Sequence, residues 1–444
     1  MTPVPPINSS SLLILLLQLA SLLLVGLLLS RSLLRIGLPA IVGELLAGVV
    51  LGPSLLGHLA PRISRWLFPH DANQMHLLES VGQVGVLLLV GLAGIYLDTQ
   101  GLRRRGAIAF RISFLGVLIP FCLGVSMGYL APGYFLPKGV ARLTLALLVG
   151  VAMCVTAIPV IAKTLADMKL THRTIGQLTL TAATFDDTVG WFMLSVVSAI
   201  ATVGLTAGRV TLAVGYLLGF VLLAFLVGRP VVRFVLHRVG RRGEPGVTVS
   251  AAVVLILLGG TTTLALGMEP VFGAFVVGIL IGASGLPDKR PLGQLRTVVL
   301  NVLAPVFLAT AGLRMDLTVL RHPQVLVAAV VVLLVAVLGK FAGAFLGAIS
   351  GGMSRWESLA IGAGMNSRGV IEIIVAITGL RLGVLNVTTF TIIALVAIVT
   401  SIMTPPLLRL AMSRVSHSDE ELRREADHAT WEGSLPAHAV VPQA

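Results

Sequence analysis

Apolar residues in this chain run in long blocks, such as LLILLLQLASLLLVGLLL (12–29), and lack the period-two alternation of barrel strands. Blocks of about 18–25 residues have the length at which a helix crosses the hydrocarbon core of a bilayer. Such blocks place thirteen spans, centred near residues 20, 45, 87, 119, 153, 188, 219, 256, 277, 304, 334, 368 and 400. Only 5% of residues are aromatic while 48 are Gly, which fits closely packed helices rather than an aromatic-girdled barrel. The expected fold is an all-α polytopic membrane protein of about 13 transmembrane helices.

Composition agrees with this pattern. Of 444 residues, 56% are hydrophobic and 11% charged, against roughly 25% charged in soluble domains. A net charge of +13 would point a soluble protein toward nucleic acid, but here it has to be read loop by loop. With the N-terminus outside, 22 of the 32 Lys and Arg residues fall on the inner side and 8 on the outer. The positive-inside rule therefore predicts a multi-pass cell-membrane protein with its N-terminus out and its C-terminus cytoplasmic, in contact with the lipid bilayer and not with nucleic acid. No basic residue precedes the first span, so it reads as a true helix and not as a cleaved leader. Cys122 and Cys154 lie in apolar segments without neighbours at ligand spacing. They read as small packing residues, and neither a disulfide, a structural metal nor a cofactor is expected.

Two basic residues remain inside the spans, Lys340 and Arg368, beside the acids Glu44, Asp186, Asp187 and Glu372. A charge near the bilayer centre costs about 2.5–3.5 kcal/mol on insertion scales, so each of the six needs a reason to be there. The basic connector from Arg229 to Arg242 divides the membrane region, residues 1–411, into halves of about 10–205 and 245–411. Residues 412–444 form a short cytoplasmic tail, expected to be disordered. Each half holds an interrupted span. VTAIPVIAK carries Pro159, expected to free a carbonyl about one turn earlier, near Val155. AGAGMNSRGVIEI sets Asn366 and Ser367 among Gly362, Gly364 and Gly369. Paired broken helices in corresponding positions point to a secondary transporter with inverted repeats and a midplane site.

Adjacent residues on a helix point about 100° apart, so Asp186 and Asp187 must occupy different environments. A desolvated carboxyl can hold a proton or a small cation in turn, which is what exchange at one site requires. Lys340 lies too deep to snorkel and needs a buried partner, for which Asp186 is the economical choice. The pair would break when a cation or proton binds; a purely structural ion pair is the bland alternative. Arg368 and Glu372, four residues apart, read as a structural pair on one face of a regular helix. Glu44, among Gly43, Gly48 and Gly52, is either a polar helix-contact residue or part of the ion path. Thr156 could offer a hard oxygen ligand for Na⁺ or K⁺, or could bond back to its own helix.

The segments VGELLAGVVLGPSLLG (42–57), TAIPVIAKTLADMKL (156–170), TAATFDDTVGW (181–191), the Lys340 helix and GMNSRGVIEIIVAITG (364–379) together resemble the monovalent cation:proton antiporter-2 family. Their order covers nearly the whole membrane region. The resemblance implies a thirteen-helix antiporter with a dimerisation domain, a core domain with two crossed broken helices, and a homodimer. It matches Asp187 to the cation- and proton-carrying aspartate, Asp186 to the position before it, Lys340 to the lysine that pairs with the aspartates in electrogenic members, and Thr156 to the polar residue of the first broken helix. GMNSRG looks like the plant exchangers and departs from the RGE-type pattern of several bacterial members. The tail is too short for the nucleotide-binding regulatory domain of potassium-efflux members, so none is expected in this chain.

The expected function is secondary active exchange of a monovalent cation, Na⁺, K⁺ or Li⁺, for protons by alternating access at Asp187. A cation channel, or efflux of an organic cation on the same scaffold, is the alternative. An intramembrane aspartyl protease is disfavoured, because its two carboxyls must converge from separate helices on one water and no GxGD segment is present. No enzyme activity is expected.

Overall fold

A computed structural model describes residues 7–69, 71–97, 99–171, 173–203, 207–240, 245–285, 290–415 and 421. It is 84% helix, with no strand among the described residues. In lipid every backbone N–H and C=O must find a partner within its own segment, and the helix meets that demand. In chain order the helices are α1 (Ser9–Arg35), α2 (Ala40–Leu51), the short α3 (Leu56–Leu59) and α4 (Pro61–Leu67), α5 (Ala72–Ile95), α6 (Thr99–Leu130), α7 (Arg142–Cys154), α8 (Ile158–Asp167), α9 (Thr174–Val203) and α10 (Ala207–Leu223). They continue with α11 (Arg229–Gly240), α12 (Pro245–Ala265), α13 (Pro270–Gly282), α14 (Arg290–Val298), α15 (Ala304–Leu313), α16 (Pro323–Ser350), α17 (Arg355–Met365), α18 (Val370–Arg381) and α19 (Val387–Met412). Single π turns, Ala224–Gly228 and Val299–Leu303, join α10 to α11 and α14 to α15.

Twelve of the thirteen expected span centres lie inside helices, and the centre at residue 368 falls in the gap between α17 and α18. Among the described residues, nine helical segments are long and apolar enough to cross a membrane, ten if α17 and α18, bent by 42°, count as one. The count of thirteen is not reached by that measure. α7 and α13 are each 13 residues long, about 20 Å of helix against a core of about 30 Å. α9 is long enough but carries both aspartates. Residues 416–420 and 422–444, which hold most of the expected tail together with Arg423 and Arg424, lie outside the described residues, as do Arg241, Arg242 and Lys289.

The helices pack in two groups. In the first, α1 lies on α2, α2 and α5 lie on α15, and α13 lies between α5 and α12. In the second, α6 is flanked by α7, α9 and α16, α16 leads to α17, and α17 and α18 rest on α19. α10 leans on α9 while α11 leans on α12 and α13, so this helix pair links the groups. The groups meet directly where α13 packs on α9, α15 on α18 and α2 on α19.

Within the first group backbones touch. A Cβ built on Gly48 of α2 would collide with the Ala309 carbonyl of α15, and one on Gly312 with the Leu45 carbonyl of α2. Gly94 and Gly278 lock α5 to α13 in the same way, against the Phe275 and Gly91 carbonyls. Small residues at such crossings are what let apolar helices associate in lipid, where no hydrophobic force drives them together. Cys122, expected to be a packing residue, is exposed on α6, whereas Cys154 is buried; neither is in a disulfide.

Replacing Gly48 with Val is expected to lower the melting temperature of the detergent-solubilised protein, reflecting an overpacking cost of about 1–3 kcal/mol or more. An unchanged melting curve would show that α2 and α15 do not meet backbone to backbone.

Candidate functional site

α7 ends at Cys154 and the chain runs extended through Val155, Thr156 and Ala157 before α8 begins. Pro159 sits in the first turn of α8, where an absent N–H leaves nothing unsatisfied. The expected proline kink is therefore corrected. Pro159 opens a helix rather than bending one, and the carbonyls left over belong to the last turn of α7, not to the neighbourhood of Val155 alone. The second break runs from Asn366, the C-cap of α17, to Gly369, the N-cap of α18. The two breaks are bonded to each other: Ala157 N–H donates to the Ser367 carbonyl at 2.9 Å, and Thr156 Oγ1 lies 3.2 Å from the Met365 carbonyl. A Cβ on Gly369 would meet Val160 Cγ2 at 2.8 Å, so glycine lets the breaks cross.

The open end of α7 is a partial negative charge in apolar surroundings, and two cations meet it. Arg368 donates to the carbonyls of Ala152 at 2.9 Å, Met153 at 2.5 Å and, on α16, Ala336 at 3.0 Å. Lys340 Nζ donates to the Cys154 carbonyl at 2.5 Å. The regular-helix reading of Arg368 and Glu372 is thereby corrected. Arg368 lies in the non-helical break, Glu372 in the first turn of α18, and their contact at 3.3 Å is the longest Arg368 makes. Ser401 Oγ donates to the Arg368 carbonyl, tying the break to α19.

α9 runs uninterrupted past the aspartates, so they cap no break. Asp186 is fully engaged. Its Oδ2 accepts from Lys340 Nζ at 2.5 Å and Thr156 Oγ1 at 2.8 Å, and its Oδ1 accepts from Ser113 Oγ on α6 at 2.5 Å. Both members of the Asp186 and Lys340 pair are wholly buried. Thr156 thus bonds across the site and not back to its own helix. Asp187 differs: it is 1% exposed, yet its Oδ1 has no hydrogen-bond partner. Trp191, one turn on and on the same face, packs its ring 6.3 Å from that of Phe275 on α13. Asp186 thus points into the second helix group and Asp187 toward the seam with the first.

Asn366 and Ser367 are buried in the second break with side-chain N and O atoms lacking partners. Glu44 stands apart on α2, half-buried, with Lys163 of α8 as its electrostatic neighbour and no hydrogen bond or ion pair to the cluster among the described residues. Two participants escaped the sequence reading. Ser113 is one of several hydroxyl residues on α6, with nothing in the sequence to mark it. Glu269, which the sequence reading did not single out, is the N-cap residue of α13 and is buried; an acid directly before Pro and an apolar run was the available signal.

Lys340→Met should cost about 3–5 kcal/mol, because it strands a buried carboxylate. Lys340→Met with Asp186→Asn should recover a large part of that loss in thermal unfolding. Additive losses would show that the two side chains are not a pair.

The match to the sodium/hydrogen exchanger, transmembrane family covers residues 19–410. The chain is 30% identical to the Na(+)/H(+) antiporter NhaS4 of Synechocystis sp. over 83% of its own length and 90% of the relative's. It is 31% identical to Cation/H(+) antiporter 18 of Arabidopsis thaliana over 83% of its own length but 45% of the relative's, so it spans about half of that protein. In three dimensions it resembles the sodium proton antiporter MjNhaP1 from Methanocaldococcus jannaschii, with a TM-score of 0.62 at 17% identity, covering 90% of this chain and 99% of the other. That likeness shows a common fold. This multi-pass membrane protein belongs to the sodium/hydrogen exchanger family of cation:proton antiporters.

Proposed function

We propose that the chain exchanges a monovalent cation, Na⁺ or K⁺, for protons by alternating access, with cation and proton competing for Asp187. The carrying observation is the inequality of the two carboxyls. Asp186 has its oxygens filled by Lys340, Thr156 and Ser113, whereas Asp187 keeps an unpartnered oxygen at the seam. A carboxylate out of water and short of donors gains from any small cation or proton that reaches it. The names of relatives, Na(+)/H(+) antiporter and Cation/H(+) antiporter, support this reading over an enzymatic one.

In this reading the second helix group is the core that moves and the first is the panel, through which two copies of the chain form a homodimer. Lys340 releases Asp186 when the cation arrives, and the unpartnered groups of Asn366 and Ser367 lie near the path. The N-terminus is outside and the C-terminus cytoplasmic.

Asp187→Asn is expected to abolish cation-dependent proton flux in proteoliposomes while leaving the melting temperature close to that of the parent. Full flux in this variant would refute the proposal. With Asp186 and Lys340 both present, more than one proton should move per cation, so that clamping the membrane potential at different values changes the rate. A rate indifferent to potential would count against that stoichiometry.

A further inference from the structure

The transport reading leaves Glu269 without a role. Its carboxylate is buried at the start of α13, in the first helix group, and among the described residues every hydrogen bond it receives from a side chain comes from the second group. Ser198 Oγ on α9 donates to Oε1 at 2.7 Å. Arg381, in the last turn of α18, donates to Oε2 at 2.6 Å, with Thr378 Oγ1 at 3.4 Å. Gln83, Phe307, Ile374 and Ile377 surround the cluster and leave a gap of about 10 Å³, room for a single water. The seam between the groups is shut here, and an ion pair shuts it.

A second observation ties this point to Asp187. Steps of four, four and three residues put Asp187, Trp191, Ser195 and Ser198 on one face of α9. Eleven residues of helix rise about 16 Å, half the thickness of a bilayer core. Along that face Asp187 Oδ1, Trp191 Nε1 and Ser195 Oγ are all buried without a hydrogen-bond partner. Most buried polar groups in folded proteins are satisfied, so a row of unsatisfied ones calls for an explanation. Water entering in another conformation supplies one. The row ends at Ser198, and so at Glu269.

We propose that Glu269 and Arg381 form the latch of the ion path on the face where α9 and α18 end, and that the Asp187, Trp191, Ser195 and Ser198 face of α9 lines that half of the path once the latch parts. Two barriers then stand between Asp187 and this face, the Trp191 and Phe275 rings and, beyond them, the ion pair. Arg381 keeps 39% of its side chain exposed and can rehydrate on release, whereas Glu269, 4% exposed, gains water only if the groups separate. Latch opening and separation of the helix groups are therefore the same event. The inference rests on alternating access and adds to it which residues hold one side closed.

The test reads access rather than flux. Ser195→Cys is placed in a chain with Cys122→Ala and Cys154→Ala, reconstituted in oriented vesicles, and exposed to a membrane-impermeant thiol reagent from either side. Adding Glu269→Gln should speed labelling about tenfold, and from the Arg381 face alone. The charge swap Glu269→Arg with Arg381→Glu should bring protection back, since the Ser and Thr hydroxyls accept as readily as they donate. Equal labelling with and without Glu269→Gln, faster labelling from both faces, or a swap that restores nothing would overturn the latch. If Glu269→Gln yields no monodisperse protein, Arg381→Gln, at the half-exposed partner, carries the same comparison. Flux through Asp187→Asn bears on exchange alone. Latch-dependent labelling beside an unaffected Asp187→Asn flux would remove the exchange reading and keep the latch, and the converse pair of results would do the reverse.

Discussion

Where α7 stops in the middle of the protein, the carbonyl oxygens of Ala152, Met153 and Cys154 need donors at a depth where the helix itself offers none. Lys340 and Arg368 provide them, one from α16 and one from the gap between α17 and α18. Irregular backbone at membrane depth is tolerated only where protein satisfies it. The crossing of the two breaks therefore depends on these two cations, and the breaks in turn hold Thr156 beside Asp186. Each charge removes the cost of another: the lysine that satisfies a carbonyl also neutralises the first aspartate.

This arrangement determines which aspartate is available. With Asp186 filled from three directions, its neighbour, turned by about 100° on the same helix and sharing a face with Trp191, which meets Phe275 of α13, is left with an oxygen to spare. The seam is thinly joined, by short contacts of α13 on α9, α15 on α18 and α2 on α19 and by the side-chain bonds that reach Glu269 from α9 and α18. Contrast this with the glycine crossings inside the first group, where backbones meet and no layer of side chains is available to slide. A unit that is stiff within and loosely joined without can move as a body.

Much of the fold was legible because the bilayer permits so little else. Long apolar blocks had to be helices, and the positions of the spans follow from that requirement alone. The count was harder, since α7 and α13 are too short to cross by themselves and the aspartates dilute the apolar character of α9. At the site, the depth of Lys340 demanded a partner and Asp186 was the right one. Arg368 was legible only in part. Spacing revealed Glu372 four residues on, but nothing local could reveal carbonyls more than 200 positions earlier in the chain. Pro159 was misplaced for a related reason, since a proline within an apolar run looks the same whether it kinks a helix or starts one. Ser113 and Glu269 gave no periodic signal, and their importance comes from what folds against them.

The glycine crossings carry a consequence for heredity. Any single-nucleotide change in a glycine codon that replaces the glycine installs a larger side chain. At Gly48, Gly94, Gly278 and Gly312 the space such a side chain would enter already holds a carbonyl oxygen of the facing helix. Apolar surface toward lipid can drift among Leu, Val and Ile with little penalty, but these four positions have no neighbouring solution, so the crossings inside the first group are where its descendants are least free to vary.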